Sequence, residues 1–238
     1  MQHEEHPVAD PPPFFSSFDE AWAAFAAGGV LTPMTAWRLR LTAGRAQFLS
    51  LQAPLYETPV ADLFDDLRTE LAGIGGLAPF TRDMLHISLR GVGFQVIARK
   101  RPDDVTREDV GRVSKRVASL LRGSRPIAIE AGPINVFHDA LILEVHDGGA
   151  LLDLRRRLAE AVDDSFGIGD AQYLPHVTVA MFADPLAAAP MLLDRLPPLR
   201  NRPRAAISIR RIELARWWFT GEDTDLPERD PVRTYTLR

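Results

Sequence analysis

Two strand-like segments of this chain carry the same arrangement of polar and apolar residues. Residues 86–89 read His-Ile-Ser-Leu, and residues 176–179 read His-Val-Thr-Val. Because successive side chains of a β-strand point to opposite faces, His86 shares a face with Ser88, and His176 shares a face with Thr178. The other face of both segments is apolar. The histidines lie 90 positions apart, so the pattern predicts two similar halves that each place an imidazole beside a hydroxyl.

Helices and strand pairs alternate along the rest of the chain. Apolar residues recur at helical spacing over residues 61–73, 106–121 and 151–162, and shorter helices are predicted over 18–27 and 186–193. Beside the histidine strands (the second over 173–182), strands are predicted over residues 47–52, 94–98, 127–130, 140–145, 206–217 and 232–237, with a turn at Gly91 and Gly93. Strand pairs with helices between them are typical of an α+β fold with mostly antiparallel sheets.

The first 45 residues differ in composition from the remainder of the chain. Prolines at positions 7 and 11–13, without any periodicity, predict a mobile leader that is followed by a short helix ending at Gly28 and Gly29. We therefore divide the chain into a leader over residues 1–45, which includes that helix, and a single domain over residues 46–238.

Composition excludes several classes of protein. The sequence has no cysteine, which rules out disulfides, thiol nucleophiles and cysteine metal sites. It has neither an apolar run long enough to span a bilayer nor a secretory signal pattern, so we expect a cytoplasmic protein without a membrane partner. The net charge of −4 gives no overall attraction to nucleic acid. Arginine is abundant and lysine rare, which fits either codon usage or local phosphate-binding patches.

Two histidines and two hydroxyls suit phosphodiester chemistry. That chemistry needs a base for the attacking oxygen, an acid for the leaving oxygen and donors for the phosphoryl oxygens. Histidine can serve as base or acid because its unperturbed pKa lies near working pH. Ser88 and Thr178 can then donate to the non-bridging oxygens. The sequence predicts no metal and no cofactor, since no carboxylate lies two or four positions from His86 or His176, on the same face of the strand.

These two motifs resemble those of the two-histidine phosphoesterase superfamily, which includes bacterial 2′-5′ RNA ligases and cyclic phosphodiesterases. The Tyr-Leu-Pro-His sequence of residues 173–176 is similar to the proline-preceded second motif of that family, and the resemblance extends over about residues 47–237. It implies a bilobal fold with two pseudo-symmetric sheets around a central cleft. It also implies a nucleotide or RNA end with a 2′,3′-cyclic phosphate as substrate. For hydrolysis it implies His176 as base and His86 as acid.

Several alternatives remain open at this stage. The histidines could be ordinary core residues, and the cleft could bind a cyclic nucleotide or RNA end without turnover, or join RNA by a 2′-5′ bond. Arg90 could contact a phosphate or form a surface ion pair. Tyr173 could stack on a base, although strand alternation places it on the face opposite His176. The sequence does not identify a protein partner.

Overall fold

The computed structural model describes residues 15–162 and 172–238, and the first fourteen residues of the predicted leader lie outside it. Six α-helices are found in the described residues: α1 (Phe18–Ala26), α2 (Met34–Thr42), α3 (Pro59–Leu71), α4 (Arg107–Leu120), α5 (Ala150–Ala159) and α6 (Pro185–Leu199).

Ten strands accompany these helices in the described part of the chain. They are β1 (Gln47–Pro54), β2 (Leu77–Pro79), β3 (His86–Gln95), β4 (Asp104–Val105), β5 (Ile127–Val136), β6 (Ala140–His146), β7 (His176–Phe182), β8 (Ala205–Ile209), β9 (Arg211–Trp218) and β10 (Glu228–Thr236).

Local sequence accounts for the main helices. Helix α4 begins with a capping box, in which the Thr106 side chain accepts from the Asp109 backbone N–H and the Asp109 carboxylate accepts from the Thr106 N–H. Helix α3 has Pro59 in its first turn, where the missing N–H costs nothing. Helix α3 buries Phe64 and Leu67, and full burial of such a side chain contributes about 1.5–3 kcal/mol. These helices confirm the periodicity found in the sequence.

The strands form one continuous sheet in the order β10-β9-β1-β3-β7-β6-β5-β8. The first four strands of this order make the first lobe, and the last four make the second. The lobes meet where β3 lies against β7 at the register pair Ile87–Val177. In addition, β2 pairs with β7, and β4 pairs with β3. The predicted α+β class with mostly antiparallel strands is confirmed.

The chain crosses between the lobes in each half of the sequence. The segment β1-α3-β3 forms the core of the first lobe, and β6-α5-β7 forms the core of the second. After the first unit and β4, the chain passes through α4 to β5, which pairs with β6 in the second lobe. After the second unit and β8, it returns with β9, which pairs with β1 in the first lobe. This exchange interlocks the two lobes.

The apolar faces of the two histidine strands lie in the core. Ile87 and Leu89 on β3, and Val177 and Val179 on β7, are almost fully buried. Helices α3 and α5 contribute further buried residues to the same cluster. The opposite face of each strand is therefore free to carry polar groups, as strand alternation predicts.

Three local features differ from the sequence-based expectations. No turn interrupts the chain at Gly91 and Gly93, because β3 continues through both to Gln95. The predicted strand over residues 206–217 is two strands, separated at Arg210. Helix α2 was not anticipated, since its apolar residues do not follow a helical period. Its Arg38 is buried and donates to the carbonyl oxygens of Thr220, Gly221, Glu222 and Asp225.

No helix in residues 15–162 or 172–238 is long and apolar enough to cross a membrane.

Candidate active site

Both motif histidines are anchored in the same way. The Nδ1 of His86 lies 2.7 Å from the carbonyl oxygen of Met84, and the Nδ1 of His176 lies 2.8 Å from that of Leu174. A carbonyl can only accept, so in each ring Nδ1 carries the hydrogen. In the neutral ring the lone pair is then on Nε2. Each strand therefore presents a histidine whose Nε2 can accept a proton.

The register of β3 and β7 brings the two motifs together. Ile87 and Val177 are direct partners in an antiparallel pair. One step to either side, His86 therefore lies across from Thr178, and Ser88 lies across from His176. The sequence-predicted histidines and hydroxyls thus meet at the junction of the two lobes.

The hydroxyl of Ser88 has a direct contact with its own histidine. Its Oγ lies 3.1 Å from Nε2 of His86, where it can donate to the ring lone pair. Ser88 is exposed and Thr178 is half-buried. A ligand can therefore reach the first hydroxyl from solvent.

An aromatic ring packs against each histidine. The Trp217 ring centroid lies 4.9 Å from that of His86, and the Phe137 centroid lies 4.9 Å from that of His176. Neither ring is among the site residues that the sequence predicted. Trp217 is buried, and its Nε1 donates to the Ser50 hydroxyl at 3.1 Å. Trp217 lies on β9 and Phe137 directly after β5, both distant in sequence from the histidines they contact, so no local motif marks them.

The two imidazoles differ in their electrostatic surroundings. Burial, aided by the charges of Arg229 and His176 and opposed by the Met84 hydrogen bond, lowers the pKa of His86 to about 4. Burial also lowers the pKa of His176, but the Asp139 carboxylate acts in the opposite direction. A positive charge, that of Arg229, thus lies near His86, whereas a negative charge, that of Asp139, lies near His176.

Each lobe also buries a glutamate beside an arginine. Glu144, the register partner of His176 on β6, accepts from Arg200 at 3.2 Å. Glu213 on β9 accepts from Arg229. Both carboxylates are almost fully buried, and such charges need paired donors. Further donors are Asn135 and His146 for Glu144, and Tyr56 for Glu213. Sequence reasoning missed both glutamates because their partners are distant in the sequence.

Arg90 and Tyr173 take different positions from those expected. A bulge at Leu89 interrupts the alternation on which the Arg90 prediction depended, and Arg90 is buried. Its contact with a phosphate stays a prediction. Tyr173 precedes β7, and its hydroxyl donates to the backbone carbonyl oxygen of Ser88 at 2.9 Å. Its stacking on a base likewise stays a prediction.

In the described residues, no group of three or more histidine, aspartate or glutamate side chains is placed to hold a metal ion.

Comparison with known protein families agrees with this geometry. The family model of the 2′-5′ RNA ligase superfamily matches residues 56–218, which is more than half of the chain. The chain belongs to this superfamily. The resemblance inferred from the two motifs is thereby confirmed. Helices α1 and α2 precede the part of this superfamily member that the family model matches. No curated protein matches the chain.

Solved structures share the fold of this superfamily member. Protein TT0787 of Thermus thermophilus is 17% identical with a TM-score of 0.56, over 80% of this chain and 98% of its own. Escherichia coli LigT complexed with 3′-AMP is 14% identical with a TM-score of 0.57, over 81% and 99%. The conserved Agrobacterium tumefaciens protein of unknown function ATU0111 is 11% identical with a TM-score of 0.55, over 89% and 97%.

Proposed function

We propose that this chain is a metal-independent phosphoesterase that hydrolyses a cyclic phosphodiester, the 2′,3′-cyclic phosphate of a nucleotide or an RNA end. The observation that carries this proposal is the junction of β3 and β7, where the Ile87–Val177 pair sets one histidine and one hydroxyl from each lobe around one point. The Nδ1 anchors leave Nε2 of each ring for proton transfer, once the Ser88 hydroxyl turns from Nε2 of His86 to the substrate.

The substrate class is supported by solved relatives. The Escherichia coli LigT structures include complexes with 3′-AMP and with phosphate. A pair of hydroxyls and a pair of imidazoles at this junction would bind the phosphate of such a nucleotide. Hydrolysis of a 2′,3′-cyclic phosphate would leave such a nucleoside monophosphate.

The reaction requires one proton to be removed and one to be delivered. The base takes a proton from a water molecule while the water oxygen bonds to phosphorus. The acid protonates the ribose oxygen while the bond between that oxygen and phosphorus breaks. Ser88 and Thr178 donate to the non-bridging oxygens, where negative charge accumulates in the transition state.

The charges around the rings suggest which histidine is the base. Burial lowers the pKa of both rings, and Arg229 further disfavours protonation of His86, so this ring is neutral and ready to accept a proton. At His176 the Asp139 carboxylate opposes the effect of burial, which suits the acid. We therefore assign His86 as the base and His176 as the acid, the reverse of the assignment that the family resemblance implies.

Hydrolysis of 2′,3′-cyclic nucleotides tests the proposed activity. We expect turnover by the wild type in the presence of EDTA, and a loss of about 10²–10⁴-fold in kcat for His86→Ala and for His176→Ala. The control His138→Ala, in the turn between β5 and β6, should retain activity. Near-wild-type turnover by both single variants, or loss of activity in EDTA, would contradict the proposal. A 2′-5′-linked oligonucleotide in the same assay tests the ligase alternative.

A substrate with a good leaving group distinguishes acid from base. A 4-nitrophenyl phosphodiester releases nitrophenolate, which needs no proton from the enzyme. If His176 is the acid, His176→Ala should lose much less activity on this substrate than on a cyclic nucleotide, while His86→Ala loses as much on both. If instead His86→Ala loses less activity on the nitrophenyl substrate and His176→Ala loses as much on both, His86 is the acid and His176 the base, as the resemblance implies.

A further inference from the structure

Each histidine strand has a bulge just after its motif hydroxyl. In the pairing of β3 with β1 the register skips Leu89, which follows Ser88. In the pairing of β7 with β6 it skips Val179, which follows Thr178. A bulged residue has no partner in the ladder, so its carbonyl oxygen needs a donor from elsewhere.

Both bulge carbonyls receive a hydrogen bond from the other half of the chain. The backbone N–H of Phe80, in the segment that leads into the first motif, donates to the carbonyl oxygen of Val179 at 2.9 Å. Arg155, on helix α5 of the second lobe, donates from Nη1 to the carbonyl oxygen of Leu89 at 2.6 Å. The main chain therefore holds β7, whereas a buried arginine side chain holds β3.

Tyr173 adds a second side-chain bond to the same stretch of β3. Its hydroxyl donates to the Ser88 carbonyl oxygen at 2.9 Å, and the guanidinium carbon of Arg155 lies 4.9 Å from its ring centroid. A cation over the face of an aromatic ring is attracted by it, so each side chain steadies the other. Burial raises the pKa of Tyr173, which keeps the phenol protonated as a donor.

We propose that Arg155 and Tyr173 are positioning residues that set the separation of His86 from His176. Within the described residues, β3 and β7 share a single register pair, Ile87–Val177, so the strand ladder alone fixes their spacing weakly. The two side chains hold consecutive carbonyls of β3 against the second lobe. Two imidazoles that act on one phosphorus need this spacing, because misplacement by about 1 Å can cost about 10²-fold in rate. This inference rests on the proposed function.

The variant Tyr173→Phe removes the hydroxyl and keeps the ring over Arg155. In cyclic-nucleotide hydrolysis we expect kcat to fall about tenfold or more while KM changes less than about twofold, because the lost contact matters in the transition state. Arg155→Lys, which keeps the charge but not the planar fork, should act in the same direction. The matched control is Tyr235→Phe, whose hydroxyl lies 3.3 Å from the Ser114 carbonyl oxygen, between β10 and α4. It should retain the wild-type kcat.

Equal kcat values for Tyr173→Phe and Tyr235→Phe would overturn the positioning role. If the wild type hydrolyses no phosphodiester, the proposed function fails, and the positioning role is then decided by NMR of the histidine rings. In that measurement Tyr173→Phe should shift the Cε1–H signals of His86 and His176, and Tyr235→Phe should shift neither. Unchanged signals in Tyr173→Phe would overturn the positioning role independently of activity.

Discussion

At the scale of single residues, each motif histidine is oriented by the carbonyl two positions before it in the chain. This anchor is local, and the same in both lobes, so it belongs to the duplicated motif. What distinguishes the rings is non-local. Arg229 on β10 acts on His86, and Asp139 in the β5–β6 turn acts on His176.

The lowered pKa of His86 makes folding stability dependent on pH. The pKa of His86 is about 4 in the folded state and 6.5 in the unfolded state. Between these two pH values the unfolded ring is protonated and the folded ring is neutral, so unfolding takes up a proton. The free energy of unfolding should therefore not be reduced by His86 above pH 6.5, and it should fall as the pH is lowered from 6.5 to 4. We expect His86 to account for about 1–3 kcal/mol of that loss. Urea unfolding at pH 7 and pH 4.5 measures it.

The variant His86→Gln provides the comparison, because glutamine does not titrate and its amide can still donate to the Met84 carbonyl. Its loss of stability between the two pH values should be smaller than that of the wild type. The same loss in both proteins would contradict the neutral state of half-buried His86.

At the scale of elements, β3 continues through Gly93, where the sequence suggested a turn. A glycine is needed there because the backbone of Asp103 packs closely against it. Gly93 has φ of +139°, and a Cβ there would lie 2.5 Å from the carbonyl oxygen of Asp103. We expect Gly93→Ala to destabilise the protein by about 3 kcal/mol or more, from backbone strain and overlap combined. Thermal unfolding measures the effect.

Gly73→Ala is the matched control for this substitution. Gly73 has φ of +82°, but a Cβ added there would have nothing within 4 Å. Its cost should be about 1 kcal/mol, from the backbone conformation alone. Equal costs at both glycines would show that the approach of Asp103 is not limiting.

Helix α1 supports the His176 side of the site. The Phe18 ring lies 6.2 Å from that of Phe137, which contacts His176, and the Phe18 carbonyl oxygen accepts from Asn135. We expect Phe18→Ala to lower kcat several-fold and the free energy of unfolding by about 1–3 kcal/mol, because Phe137 would lose the ring that packs against it. Steady-state kinetics and urea unfolding measure both. The exposed Leu186→Ala on α6 should change neither, and an unchanged kcat in Phe18→Ala would contradict this support.

At the scale of the whole molecule, a phosphate ligand would bridge two lobes that the chain interlocks. Binding to the folded state alone raises stability, by about 2.7 kcal/mol at a ligand concentration a hundred times Kd. We therefore expect 3′-AMP to raise the Tm of the wild type and to have much less effect on the Ser88→Ala/Thr178→Ala double variant. Equal Tm shifts in the two proteins would place the binding site elsewhere.

The sequence by itself determined the duplicated strands, the main amphipathic helices, the α+β class and the four motif residues His86, Ser88, His176 and Thr178. These follow from periods of two and 3.6 residues and from capping, which act over a few neighbours. Only the tertiary structure decided which rings line the histidines, which glutamates are buried and what joins the motifs. Tyr173 reaches Ser88 across 85 positions of sequence. Such contacts depend on strand order and register, and no local pattern encodes these.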